Sequence, residues 1–426
     1  MTSATAFKNT LPFARSLDEK DPLREFRNEF HFPQIGGRNA IYLIGNSLGL
    51  QPKKTKEIIL EELDDWASLA GEGHVHARRP WMHYHKLSKE YLAAIVGARP
   101  SEVVAMNQLT VNLHLMLVSF YQPSSQRYKI IAEAGAFSSD QYALESQLRF
   151  HGIDPDDGLI ELKPRPGEST LRTDDIVSTI RDNASELALI LIGGVQYYTG
   201  QFFDLSAITR AGHEAGAIVA FDLAHAIGNV PLSLHEDGVD FAVWCSYKYL
   251  NSGPGAIAGA FVHEKHATRF DLPRFAGWWG HNEEERFRML KGFKPMAGVD
   301  GWQLSNVPIF QAAAHLAALE LFQRAGMDRL REKSKLLTGY LEFLLLEIED
   351  NGKYFSIITP QDHEARGCQL SIFMKTGKEP FSRLITRGVI ADWREPNVIR
   401  VAPAPLYNSF EDVFAFAEIF RQALYE

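Results

Sequence analysis

The sequence predicts an α/β fold, a large and mostly parallel seven-stranded sheet followed by a smaller C-terminal α+β domain. Three observations lead there. From about residue 85, short apolar runs alternate with amphipathic helical patterns, as in a parallel sheet covered on both faces. Two of these runs end on polar groups that face one crevice, Asp222 and Lys248. After Pro308 the alternation gives way to long helices and then short strands.

Taken in order, residues 1–47 read as an irregular arm with short helices that joins the small domain. Residues 48–308 make the large domain and 309–426 the small one. Residues 53–70 have helical spacing through Ile58, Ile59, Leu63, Trp66 and Leu69. A loop with His74, Arg79 and Trp81 follows. The seven strands are expected at 103–106, 128–132, 159–162, 187–192, 217–221, 241–246 and 257–262. In the small domain, helices are expected at 309–324, 328–349, 380–387 and 409–424, with strands at 355–358, 369–373 and 398–401.

Bulk properties exclude several classes. A formal net charge of -9, with no long Lys/Arg run, argues against nucleic acid. Two cysteines in 426 residues argue against a disulfide framework and fit a reducing cytoplasm. The segment Met1–Lys8 lacks the apolar stretch of a signal peptide. No apolar run approaches the ~18 residues of a membrane span.

Lys248 carries most of the functional information. A surface lysine is the ordinary case, but this one follows an apolar strand and precedes Gly253-Pro254-Gly255, flanked by Trp244, Tyr247 and Tyr249. Such a bed desolvates an ammonium and readies it for Schiff-base chemistry. Asp222 ends the strand Ile218-Val219-Ala220-Phe221. A carboxylate there is costly unless paired. It either caps the following helix or holds a pyridinium nitrogen charged. Together the two residues fit pyridoxal 5'-phosphate. The ends of strands in an open α/β sheet are where such a ligand binds. His225, one turn after Asp222, can reach the same ligand.

A phosphate needs backbone N–H groups at a helix start. Leu109 and Thr110 open one helical pattern, and Phe137-Ser138-Ser139-Asp140 opens another, with Phe137 placed to stack on a ring. Arg400, inside an apolar strand, is either an outward edge residue or a clamp for a carboxylate. His74, His76, His83 and His85 lack the spacing of a helical metal face, so no metal is expected. Cys368 opens an apolar strand and reads as buried rather than as a mobile thiolate.

Taken together these segments resemble kynureninase, a pyridoxal-phosphate family of fold type I, the aspartate-aminotransferase fold. The likeness runs along nearly the whole chain. It rests on Leu43–Gly49, Gly73-His74 with Arg79-Pro80-Trp81, Tyr197–Gln201, Phe221–Ala226, Trp244–Asn251, Gly277–His281 and Ile399–Pro403. The resemblance implies hydrolysis of L-kynurenine or 3-hydroxy-L-kynurenine to an anthranilate and L-alanine, in tryptophan catabolism. It implies that Lys248 carries the cofactor and that Asp222, His225 and Tyr247 contact it, with Tyr247 a proton donor. Leu109, Thr110 and Phe137–Asp140 match phosphate and ring contacts. Gly193 stands where some members have serine at a cofactor contact. Trp278 and Asn306 match positions that reach the site from a neighbouring subunit, which implies a homodimer. Ser47, His74, Ser305, Asn306 and Arg400 match substrate-side positions, and His74, Ser305 and Asn306 follow the pattern of members that prefer the 3-hydroxy substrate. Because the fold hosts many chemistries, a cysteine desulfurase, an aminotransferase or a non-catalytic pyridoxal-phosphate-binding protein are the alternatives.

Overall fold

The computed structural model describes residues 6–426, so most of the Met1–Lys8 segment lies outside the described residues. Seven strands form the main sheet: β1 (Val103–Ala105), β2 (Lys129–Glu133), β3 (Leu159–Leu162), β4 (Leu187–Gly193), β5 (Ile218–Asp222), β6 (Phe241–Trp244) and β7 (Gly259–Val262). Their spatial order is β1-β7-β6-β5-β4-β2-β3. Only β7 runs antiparallel to its neighbours, pairing Gly259 with Ala105 on one side and with Trp244 on the other. The remaining six share a direction, so their carboxyl ends lie on one edge.

Both faces of the sheet are covered, which is why its strands are near-continuous apolar runs. Successive residues alternate between two cores. Ile131, Ile190 and Phe221 join one, and Ile130, Leu189 and Ala220 the other. Expected and observed strands agree within a few residues. The run expected from 257 begins at Gly259, because Ala258 turns aside to exchange backbone hydrogen bonds with Met106 and Asn107.

The C-terminal sheet contains β8 (Phe355–Ile357), β9 (Leu370–Met374), β10 (Asp392–Arg394) and β11 (Val398–Val401), in the order β8-β9-β11-β10. All of its pairs are antiparallel. Strand β10 was not expected from the sequence; it is a half-buried Asp-Trp-Arg edge with no apolar alternation. A third core, with Leu341, Leu344, Phe355, Ile372, Val401 and Phe416, binds this sheet to helices Met327–Ile348 and Phe410–Tyr425. Ser409 and Asp412 form a capping box at the start of the last helix. Helix Ile309–Ala325, counted above with the small domain, packs on helix Lys54–Leu69 and places Ala312, Ala313 and Ala317 in the first core.

The N-terminal arm is fastened to the C-terminal unit. Ile41–Tyr42 pairs in parallel with Val389–Ile390. Lys333 meets Asp21 at 2.7 Å with both side chains buried, and Arg27 meets Asp412 at 2.5 Å. The arm then turns inward, and the Gly49 N–H donates to the Tyr247 carbonyl at 2.8 Å. Only glycine fits there. A Cβ on Gly49 would lie 2.2 Å from Asn251 Oδ1 and 2.4 Å from the Lys248 carbonyl oxygen. Among the described residues no helix is long and apolar enough to cross a membrane.

Candidate active site

The carboxyl ends of β2, β4 and β5 and the turn after β6 close around a cavity of about 180 Å³. Its walls include Leu109, Thr110, Phe137, Ser139, Asp140, Gly193, Asp222, His225, Tyr247 and Lys248. These are residues from five separate stretches of sequence. Crossover connections bring them together because strand ends on one edge of a parallel sheet converge.

Lys248 lies four residues beyond the end of β6, with Nζ 2.9 Å from His225 Nε2. The amine is also 5.8 Å from the Phe137 ring centroid and 5.9 Å from that of Tyr247. Burial, and then the neighbouring Lys248, push the His225 imidazole well below its ordinary range. His225 is therefore neutral, and its Nδ1 is buried without a partner. Burial pushes the Tyr247 hydroxyl up, which keeps the phenol protonated.

Asp222 caps a turn, where the sequence suggested a helix, and lines the cavity. Its Oδ1 accepts the Ala224 N–H at 2.6 Å, capping the turn, and its side chain remains on the cavity wall. Burial lifts the Asp222 carboxyl, while the Ala224 N–H and Lys248 pull it back. Its neighbour Asp140 is lifted well above the ordinary range by burial and by the charge of Asp222. The proton of that pair therefore sits on Asp140, which donates to Asp222. Glu133, at the end of β2, is a third buried carboxyl. Burial and then Asp222 raise it to about 8, against a hydrogen bond from the Gly193 N–H.

Two helices begin at this cavity, Leu109–Phe120 and Ser138–Phe150. Neither has a side-chain cap at its first turn, so their leading N–H groups are free for an anion. An amine, a buried carboxylate, an orphaned imidazole nitrogen and two uncapped helix starts are the donor set that pyridoxal phosphate requires. The residues present fit it.

Arg400 is not an outward edge residue. Strand β11 lies inside its sheet, and Arg400 is 1 % exposed. One Nη donates to the Tyr197 carbonyl at 2.7 Å, and the other pairs with Asp392, which also holds Arg394 at 3.1 Å. Arg400 Nε has no partner, and burial pushes the guanidinium down to about 10. Its Cζ lies 6.0 Å from the centroid of Tyr197, a ring that lines the cavity.

Other expected residues stand apart from this cavity within the single chain. Ser138 opens its helix without lining the wall, and Ser47 is half-buried in the Gly45–Gly49 strap. His74 is exposed, 5.5 Å from the Trp81 ring. Ser305 and Asn306 are exposed, and Trp278 is 44 % exposed with its Nε1–H donating to the Arg286 carbonyl. Conversely, the sequence reading did not single out Glu133, Val195, Tyr197 or Cys245 as site residues, yet all four line the cavity.

Cys368 is fully buried, and burial pushes its thiol up to about 12. That is the opposite of a reactive thiolate. His85 is buried, pushed down to about 3 and approached by Trp279 Nε1–H at 3.4 Å. Elsewhere, Glu102, His235 and His263 have ligand-type atoms within 4.8 Å of one another. Those atoms are already engaged: Glu102 accepts from His235 and the Arg99 and Glu264 N–H groups, and His263 Nδ1 accepts the Lys265 N–H.

The cysteine desulfurase of Thermococcus onnurineus NA1 superposes with a TM-score of 0.76 at 17 % identity, covering 91 % of this chain and 95 % of that one. Fold and site define a fold-type-I pyridoxal-phosphate enzyme. The kynureninase C-terminal domain family matches residues 330–420. Kynureninases of Myxococcus xanthus (57 % identical over 420 residues, 98 % of both chains) and Flavobacterium psychrophilum (54 % over 422 residues, 99 % of both) align end to end. The chain belongs to the kynureninase family.

Proposed function

We propose that this enzyme uses water to cleave the Cβ–Cγ bond of L-kynurenine or 3-hydroxy-L-kynurenine, releasing anthranilate or 3-hydroxyanthranilate and L-alanine, with the hydroxylated substrate preferred. One observation carries the reading: an amine on Lys248 placed 2.9 Å from a neutral His225, in the same cavity as the buried Asp222. Family membership supplies the reaction type. Lys248 would hold pyridoxal 5'-phosphate covalently. Asp222 would keep its ring nitrogen charged, with Leu109, Thr110, Phe137, Ser138, Ser139, Asp140, Gly193, His225 and Tyr247 around it.

When bound, the cofactor supplies an electron sink for breaking bonds at Cα and Cβ. The chain's own residues then position and move protons. Lys248 takes the proton at the substrate Cα and returns it. Water adds to the γ-carbonyl, which His74, Ser305 and Asn306 orient together with the aromatic ring. Tyr247, whose phenol stays protonated, donates to Cβ after cleavage. Arg400 and Ser47 fix the amino-acid end; the Arg400 Nε has no partner within the protein. No metal is assigned a part.

His74, Trp278, Ser305 and Asn306 stand outside their own chain's cavity, so their use in the site calls for a homodimer with shared sites. Trp66 and Phe310 pack together at 6.1 Å, are 57 % and 39 % exposed, and lie near exposed Leu63. Such an apolar face suits a twofold partner. Two buried free thiols fit a cytoplasmic enzyme of tryptophan catabolism.

The test is to supply purified protein with pyridoxal phosphate and 3-hydroxykynurenine. Equal amounts of hydroxyanthranilate and alanine are expected, whereas sulfide or keto-acid release, or no product, overturns the reading. A kcat/KM ratio favouring unhydroxylated kynurenine overturns the substrate preference alone. Borohydride should fix the cofactor to Lys248 and to no other lysine, and Lys248→Ala should abolish that label and turnover.

A further inference from the structure

Glu133 is a buried acid for which the mechanism above has no use. It is the last residue of β2, only 5 % exposed, and its Oε2 has no hydrogen-bond partner. The other oxygen lies beside Gly193, whose added Cβ would stand 3.3 Å from Oε1. The groups facing it come from every neighbouring element. They are Asp222 at the end of β5, Asp140 on helix Ser138–Phe150, and Cys245, Tyr247 and Lys248 after β6, with His225 and the Tyr197 phenol completing the wall. Three carboxyls therefore share one cavity with a single lysine.

Three buried anions beside one ammonium would leave two charges uncompensated, at a cost far above that of keeping protons on two of the acids. Asp140 holds one proton by donating to Asp222. Glu133 has no such partner among the side chains around it, and the Gly193 N–H alone offsets little of its burial, so the acid keeps its own proton. It also forms part of the wall of a second cavity of about 240 Å³, shared with Tyr197, Gln196, Thr199 and Gln201, through which a proton can be exchanged with water.

We propose that Glu133 is a positioning residue for the cofactor: held as a neutral acid, it leaves Asp222 the single anion of the carboxyl cluster, and its ionisation places a second negative charge against Asp222. This rests on the cofactor assignment above. A ring cation opposite Asp222 offsets the charge of Asp222 but not the burial of Glu133, so Glu133 stays protonated through neutral pH. Its deprotonation in alkaline solution then perturbs the linkage at Lys248.

The test follows the holoenzyme of Glu133→Gln against wild type. Glutamine keeps the shape and neutrality of the acid but cannot ionise. E133Q should bind pyridoxal phosphate in full at neutral pH, since it preserves the charge state, and its effect should be read in the pH dependence. The alkaline change in the wild-type cofactor spectrum, and the matching limb of the kcat/KM profile, should disappear or move to higher pH in E133Q. Carbon-13 NMR of glutamate-labelled wild type should show one carboxyl titrating above neutral pH, and E133Q should lack it. Unchanged pH profiles in a loaded E133Q overturn the proposal, as does a neutral-pH loss of cofactor. Should E133Q fail to fold, the wild-type signal decides: every glutamate ionised at neutral pH overturns it. A wild type that takes up no pyridoxal phosphate overturns the functional reading and this proposal together.

Discussion

At the scale of single residues, the site depends on charges that apolar strands would not otherwise tolerate. Arg400 is the clearest case, because a nearly unexposed guanidinium has one Nη on the Tyr197 carbonyl, the other on Asp392, and Nε free. Arg400→Lys keeps the charge but loses the planar fork. It should raise KM by roughly 10- to 100-fold with a smaller change in kcat, as read from steady-state kinetics. The same logic explains what was legible. Asp222 and Lys248 stand out because a polar residue closing an apolar run has few structural excuses. Glu133 obeys that rule too, but the expected strand stopped at 132, so its terminal acid fell into the following turn. Tyr197 belongs to a segment that carries the family likeness, but nothing local to it marks a role in the site. It reaches the cavity through long-range ties, with its carbonyl accepting from Arg400 and from Gln369 Nε2.

At the scale of elements, the turn carrying Lys248 is set from both sides. Gly49→Ala would drive a methyl into Asn251 and the Lys248 carbonyl, where the tightest approaches are to atoms of the turn itself. The variant should lose about 1–3 kcal/mol of stability and a large part of its borohydride-fixed cofactor, measured by thermal unfolding and absorbance. The entry to β6 is held differently. Asp240 accepts from the Val219 N–H at 2.8 Å, from His213 and His266 at 2.9 and 2.8 Å, and from the Lys265 ammonium at 2.7 Å. Burial alone would raise its carboxyl, yet these partners hold it far below the ordinary range. A depressed folded pKa contributes stability that is complete above the unfolded value and fades as pH falls below it. Asp240→Asn should therefore cost about 3 kcal/mol at neutral pH, and in denaturant titrations the deficit should shrink only below about pH 4. Strands of the main sheet were legible from their apolar runs. The edge strand β10 was not, because its three half-buried residues, Asp392, Trp393 and Arg394, show no apolar alternation and its cross-strand tie is the polar Asp392–Arg400 pair.

At the scale of the whole molecule, the cavity is incomplete in one chain if Asn306 serves a neighbour. Mixing Lys248→Ala with Asn306→Ala subunits should then restore activity. Hybrid dimers carry one intact site and one doubly altered site, so random exchange gives about a quarter of wild-type turnover. Recovery absent despite verified exchange would mean that each chain builds its own site. The arm and the last helix raise a separate matter. The short pairing of Ile41–Tyr42 with Val389–Ile390 joins segments almost 350 positions apart, and the Lys333–Asp21 contact spans a similar stretch. During synthesis Ile41–Tyr42 must wait, unpaired, until residues 389–390 have left the ribosome. Maturation of this protein thus waits on two distant segments meeting, and a nascent chain halted before residue 389 lacks the partner strand for Ile41–Tyr42.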